Sequence, residues 1–422
     1  MTRPPTPVFF LLPALALMPI GRLVEVPYLA LAILGLAVSV SGALRLREGM
    51  APTTLLLYAC FAVPMLLALP DAVNVEKSLL TLIGSLRFVC ATLGLLWLLR
   101  IADDPLRARD DTLHWVGAAT SILLTLWCLD GLWQFLSGRD IFGFALNEGY
   151  INSVFGDGEN LKFGITLALL LPLGLVHVLR HWRALPAAAF LLLTLLLLLL
   201  SGKRAAWIVA LLQFAGLALY YWHRGRFALR RVMVIGALIL VAVVAAYSAS
   251  DWVQSRSQVL VAAVDEPDYE TLNRASGLRL PIWKVAADMA SDHWFNGVGP
   301  RGFRYAYNDY ADADDHWTEA LATGGARASH AHQLILEIAS ETGVAGLLGL
   351  LLMLVILVNR WRRAGLAARS RALPYALSLL GMLFPVNTHA AWYSSWSGLM
   401  LWFFIGLYLV ALAEPAQEPT TP

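Results

Sequence analysis

Residues 184–207 read ALPAAAFLLLTLLLLLLSGKRAAW. From Ala184 to Leu200 the stretch has no charged side chain and no alternation of polar with apolar positions. It is therefore neither a half-buried strand nor the lipid-facing strand of a membrane barrel, both of which alternate. A wholly apolar run of this kind satisfies its backbone only as an α-helix in hydrocarbon. The rest of the chain has the same character. Of 422 residues, 59% are hydrophobic and 14% charged, and mean hydropathy is +0.65. Soluble domains carry about 25% charged residues. A water-soluble fold cannot bury this much apolar surface, so the chain reads as an all-α polytopic membrane protein.

Twelve apolar segments can be marked, at roughly 7–21, 24–43, 52–70, 78–99, 113–137, 161–180, 184–201, 205–222, 231–250, 332–358, 372–388 and 392–413. The first carries Pro13 and Pro19 with no small-x-small cleavage site, and reads as a membrane helix rather than a signal peptide. Cys60, Cys90 and Cys128 all fall in apolar segments and read as small core residues, not as a disulfide or metal set.

Arginines and lysines in the connections orient the chain. One set of ends holds seventeen arginines, in the groups at 3, 45–47, 100–109, 180–183, 224–231 and 360–371. The short connections on the other side hold only Arg22, Lys77, Arg139, Lys203 and Arg204. The first set is expected in the cytoplasm, with both termini, and an even number of helices fits that bias. The expected organisation is nine helices over 1–250, a large outer loop over 251–331, three helices over 332–413 and a cytoplasmic tail over 414–422. A loop of that length is expected to do something and to contain several short helices. A second outer connection, 138–160, is Gly-rich and acidic, with Asp140, Glu148, Asp157 and Glu159.

Charges at membrane depth are costly and tend to face cavities. Lys203 and Arg204 stand on the outer side against the charge bias, next to a helix start whose amides favour anions. They read as anion contacts or as snorkelling cations. Arg279 opens a segment that reads as amphipathic, and reads equally as a solvated loop arginine. His332 begins the tenth helix and is the natural general base near neutral pH, or else an interfacial histidine without a role. His330 could be base, partner or bystander. Glu341, nine residues on and on the opposite helix face, reads as a structural hydrogen-bonding group. Arg87 and Lys162, near the outer ends of their segments, line a pocket or snorkel. Asp130 is a possible partner for a cation.

Several of these pieces resemble one family. The outer loop carries Asn296-Gly297-Val298-Gly299-Pro300-Arg301-Gly302-Phe303 and ends in His332-x-x-x-Leu336 with Glu341-x-Gly343 beyond. Ser201-Gly202-Lys203-Arg204-Ala205-Ala206-Trp207 is similar to the family's Ser-Arg-Gly-x-Trp element, and Arg279-x-x-x-Trp283 to its second arginine motif. The resemblance, over roughly 155–350, is to the O-antigen ligase and polymerase superfamily. Two departures are Gln333, where Asn or Ser is usual, and Lys203 before Arg204.

The resemblance implies a GT-C-like membrane glycosyltransferase of about twelve transmembrane helices in the bacterial inner membrane. Its active site would face the periplasm and use no cofactor or metal. The donor would be a glycan on undecaprenyl diphosphate, and for a ligase the acceptor would be the lipid A-core oligosaccharide. His332 would be the base, and Arg204 and Arg279 would stabilise the departing diphosphate. Lys203, Arg87, Lys162, His330 and Arg301 would contribute to substrate binding. An O-antigen polymerase or a protein O-oligosaccharyltransferase of the same superfamily would share this chemistry. A transporter of lipid-linked glycan, from another class, would want cations in a cavity but no histidine at an outer helix start.

Overall fold

The structure, a computed structural model, describes residues 4–146, 149–156, 162–225, 229–312, 315–318, 328–388 and 391–413. Among the described residues there is no strand, only one antiparallel bridge between Arg139 and Ala145. The chain forms two compact units. The first is Met1–Tyr28, Ile101–Glu266 and Leu373–Met382; the second is Leu29–Arg100, Pro267–Ala372 and Leu383–Pro422. The division falls inside the long loop, between Glu266 and Pro267.

The first unit contains α1 (Val8–Ala16), α5 (Pro105–Ser137), α6 (Phe163–His181), α7 (Ala184–Leu200), α8 (Arg204–His223), α9 (Leu229–Ala249) and α10 (Asp251–Asp265). Helix α6 is enclosed, with every residue from Phe163 to Val178 buried, and packs on α5, α7 and α8. Helices α9 and α10 meet at 105°. Ser250 caps α10 at the bend, its hydroxyl accepting from the Val253 amide at 3.3 Å.

The second unit contains most of α2 (Glu25–Val40), then α3 (Ala51–Leu67), α4 (Val75–Arg100), α11 (Tyr269–Ser276), α12 (Leu280–Asp292), α13 (Phe303–Tyr310), α14 (Leu334–Arg363) and α16 (Ser395–Leu412). Helix α15 (Leu366–Leu383) is divided, Leu373–Met382 belonging to the first unit and its remaining residues to the second. Helices α2 and α4 approach through glycine: a Cβ on Gly35 would lie 1.8 Å from the Cys90 carbonyl oxygen, and one on Gly94 would lie 2.4 Å from that of Leu31. Small residues at such crossings are how helices pack where water supplies no driving force.

Helices fall on all twelve apolar segments. Among the described residues, seven helices are long and apolar enough to cross a membrane, or eight if the bent α9–α10 pair is one span. Helices α3 and α7 have 17 residues each. Helix α1, read from the sequence as a crossing, has only nine residues, while a span needs about 20. Its helix stops at Ala16, ahead of Pro19, which has no amide to donate.

In the second unit, the connections expected outside come together at one end. Val73 donates its amide to the Val298 carbonyl at 3.0 Å, the Ser78 hydroxyl reaches Pro300 O at 3.0 Å, and Leu334 N donates to Asn387 O at 3.0 Å. At the arginine-rich end, Arg45 and Arg100 both meet Glu48, at 2.9 and 3.0 Å.

Candidate active site

The loop part of the second unit is a small folded layer over α14. Its apolar core joins Ile282, Val285, Ala286 and Met289 of α12 to Phe303, Ala306 and Tyr307 of α13 and to Ala328 and Ala331. Burial of those two alanines fixes the segment on either side of His330. Arg304 ties it down further, donating from Nη2 to Ser329 O at 3.2 Å.

Helix α14 is broken. Gly343 has φ 61° and ψ −157°, a conformation open essentially to glycine alone. The loop stretch 294–302 fills the break. Val298 N donates to Ser340 O at 2.8 Å and Gly299 N to Glu341 O at 3.0 Å, while Val344 N donates to Trp294 O at 2.8 Å. These bonds take up backbone groups that the interrupted helix leaves without i−4 partners. Gly297 is required for the fit, since a Cβ there would lie 2.3 Å from the Glu341 carbonyl carbon. The Asn-Gly-Val-Gly-Pro-Arg-Gly and Glu-x-Gly motifs are thus two halves of one joint. The Glu341 carboxylate accepts the Arg301 amide at 2.6 Å, the structural hydrogen bond expected of it.

That joint aims Arg301. Its φ is 64°, and its Nη1 has no hydrogen-bond partner among the described residues. The Arg301 guanidinium lies close to the fully buried carboxyls of Glu337 and Glu341, which are one turn apart on α14. Arg301 also lines a cavity of 240 Å³ with Lys77, Thr81, Ser85, Arg87, Tyr393, Ser394 and Ser395, among others. Three cations and a ring of hydroxyls suit a phosphate-bearing or polyhydroxyl ligand. Arg87 donates from Nη2 to Ser395 Oγ at 2.8 Å and from Nη1 to Gly84 O, and its guanidinium lies 4.5 Å from the Phe88 ring centre.

His332 does not begin the helix, as the sequence suggested. It stands just before it at φ 50°, and Gln333 is the cap. The Gln333 Oε1 accepts from Leu336 N at 2.5 Å, while its Nε2 donates to Pro385 O at 3.1 Å. Asn and Ser, which the family resemblance led one to expect here, are standard caps, and the longer Gln performs the same task. The rings of His330 and His332 lie 3.7 Å apart, and His330 Nδ1 is 3.0 Å from the Ser329 hydroxyl. Burial, then the charges of His332, Arg301 and Arg279, hold His330 well below the ordinary 6.5. It is therefore neutral at neutral pH and able to accept a proton.

Arg279 belongs to the same group. Leu278, at φ 59°, is pinned by Trp317, whose indole donates to the Leu278 carbonyl at 2.9 Å, and Arg279 N donates to Ser276 Oγ at 3.1 Å. Trp283, one turn along α12, has an indole N–H without a hydrogen-bond partner among the described residues. Arg274, by contrast, is exposed and pairs with Glu270 at 3.5 Å. Arg327 lies outside the described residues.

The second unit thus gathers His330, His332, Arg279, Arg301 and Arg87. Arg204, Lys203 and Lys162 belong to the first unit. There the start of α6 packs on the 201–203 turn. Lys203 Nζ lies 5.5 Å from the Tyr150 ring centre, and Arg204 lies near Arg256 and Tyr150. Arg256 donates to the Tyr150 hydroxyl at 2.7 Å and stacks 4.0 Å over Trp252. Gly202, at φ 66°, is needed, since a Cβ would meet the Trp252 indole nitrogen at 2.3 Å. Lys162 stands at the N-cap of α6. Asp130, read as a partner for a cation, instead accepts from Ser153 Oγ at 2.6 Å and from Ile141 N at 2.9 Å, with no ion pair among the described residues. Asp140 likewise holds a turn, accepting from the Phe142 and Phe144 amides at 3.0 and 2.7 Å. Glu148, Asp157 and Glu159 lie outside the described residues.

Sequence reasoning missed Tyr150, Trp252, Arg256, Lys77, Tyr393, Ser394 and Ser395, which carry no local motif. The outer loop, expected to hold no Asp-x-Asp and so to disfavour a metal-dependent nucleotide-sugar enzyme, does contain one, Asp312-Ala313-Asp314. Asp312 is exposed and lies 3.4 Å from Lys284.

Residues 188–351 match the family model described as O-Antigen ligase. The matched region runs from α7 into α14 and includes Lys203, Arg204, Arg279, Arg301, His330, His332 and Glu341. The match, over 164 of the 422 residues, supports the likeness of this region to the superfamily of O-antigen ligases and polymerases. No curated protein matches the chain.

Proposed function

We propose that the chain is an O-antigen ligase. It moves a glycan from undecaprenyl diphosphate to a sugar hydroxyl of the lipid A-core oligosaccharide, at the periplasmic face of a bacterial inner membrane. The observation that carries the reading is the position of Arg301, which lines the cationic cavity and lies close enough to the histidine pair for its charge to act on His330. A general base and an anion-stabilising group thus adjoin, as glycosyl transfer from a diphosphate requires.

In this reading, His332 takes the proton of the acceptor hydroxyl, with His330 beside it as the neutral partner. The acceptor oxygen bonds to the anomeric carbon as the bond from that carbon to the diphosphate oxygen breaks. The electron pair leaves on the lipid diphosphate. Attack opposite the leaving group inverts the anomeric centre. Arg279 and Arg301 stabilise the charge that develops on the phosphates. Arg87 and Lys77 bind substrate in the cavity. Arg204 keeps the role at the departing diphosphate, and Lys203 and Lys162 the substrate-binding roles, that the resemblance implies, each to be tested by substitution.

The decisive experiment is transfer in vitro from purified undecaprenyl-diphosphate glycan, with lipid A-core, a second donor molecule or a protein offered in turn. Product on lipid A-core alone is expected. Elongation of the second donor would make the protein a polymerase, and modification of the protein acceptor would make it an O-oligosaccharyltransferase.

A further inference from the structure

The first unit holds a histidine cluster that the transfer reaction does not use. His114 lies near the start of α5, and His177 and His181 are one turn apart at the end of α6, on one helix face. Ligand nitrogens of the three lie within 4.8 Å of one another. The ring centres are 5.1, 4.9 and 4.6 Å apart.

These separations are those of rings around one ion. A Zn–N bond of about 2.0–2.1 Å, with each ring centre about 1.1 Å behind its nitrogen, puts the centres about 5 Å apart at a tetrahedral angle. Gly117 makes the approach possible. It is one turn from His114, and a Cβ there would lie 3.0 Å from both Cβ and Nδ1 of His177. His177 is buried, while His114 and His181 are exposed, so one side of the cluster is anchored and the other is open to an entering ion. Three imidazolium rings together, with Arg180 near His177 and His181, would repel one another. A metal instead takes all three as neutral donors. His177 and His181 lie about 22 and about 28 Å along α6 from Lys162, at 1.5 Å per residue. The cluster is at the arginine-rich end, away from the candidate transfer residues of this unit.

We propose that His114, His177 and His181 form a binding site for a divalent transition metal of the zinc class. The ion fastens the end of α6 to the start of α5, and one coordination position remains for solvent or an exogenous ligand. An all-imidazole set suits zinc, copper or nickel rather than magnesium or calcium.

The test uses the full chain in detergent, without a polyhistidine tag and stripped of metal, titrated with Co²⁺ and then Zn²⁺. One equivalent of cobalt is expected, with the visible bands of four-coordinate Co²⁺, displaced by zinc and accompanied by a higher unfolding temperature. Replacing the exposed His114 or His181 with Ala, which leaves the buried packing intact, should weaken binding at least about tenfold, because a bound ion loses one of three ligands. His177→Asn should abolish the bands. Absence of tetrahedral bands, or binding of equal strength in the His114→Ala and His181→Ala proteins, overturns the proposal. The readout does not involve glycan transfer, so its failure is distinct from a failure of the ligase reading.

Discussion

At the scale of the residue, the question is which imidazole takes the proton. The histidines are 3.7 Å apart, so the two cannot both be charged at low cost. His332→Ala is expected to lower transfer by about 100–10,000-fold with insertion unchanged, the range for a lost general base. Normal transfer by that variant would move the base to His330. The pH profile adds a second check. A base works only when deprotonated, and His330 is held below 6.5 by burial, by His332 whenever that ring is charged, and by the Arg301 and Arg279 guanidiniums. If His330 is the group that takes the proton, activity should hold steady as pH falls through 6.5 and decline only under more acidic conditions, and an acid limb near 6.5 would exclude His330 as the base. Removing one of those charges, as in Arg301→Ala, should move the acid limb upward in pH. Arg279→Lys and Arg204→Lys each test bidentate recognition of phosphate, which lysine cannot reproduce. A loss of about 100-fold is expected if the planar fork is used, and near-normal rates would remove that role.

At the scale of the element, α14 is the part that matters most. A chain of hydrophobic residues such as 344–358 would run as an uninterrupted helix, yet the helix is broken at Gly343 to admit the loop. A Cβ at that position would lie 2.3 Å from the Phe295 backbone, on top of the conformational cost. Gly343→Ala is expected to destabilise the protein by about 2–4 kcal/mol and to reduce transfer, because the joint that aims Arg301 would open. Thermal unfolding in detergent measures the first effect. An unchanged midpoint would mean that the break is not needed. Gln333 belongs to the same element: it caps the helix and also reaches the 384–394 connection, so it orders the residues directly after His332.

At the scale of the whole molecule, the ligase reading has no place for a divalent ion in the transfer step. Transfer should persist in excess chelator, including when the histidine cluster on α5 and α6 is emptied. Loss restored by magnesium would instead direct attention to the Asp312-x-Asp314 triplet.

The helical membrane class was legible in the sequence because membrane physics acts locally. Hydropathy over about 20 residues sets the helices, and arginine in short connections sets the expected sidedness. Local order also singled out His332, Arg279, Arg204 and the glycine motif, since each stands within a few residues of its identifying neighbours. Placing His332 in the helix went wrong because a helix start depends on which side chain caps it, and Gln333 does so. What only the tertiary structure decided are the pairings across long stretches of chain. Arg301 meets Glu341 forty residues away, and Ser78 meets Pro300 across 222. His114 and His177, 63 positions apart (177 − 114), share a cluster. Apolar segments of similar composition carry no label for their neighbours. Those neighbours are chosen by close packing at glycines such as Gly117, Gly297 and Gly343, where the absence of one carbon atom determines which backbones can touch.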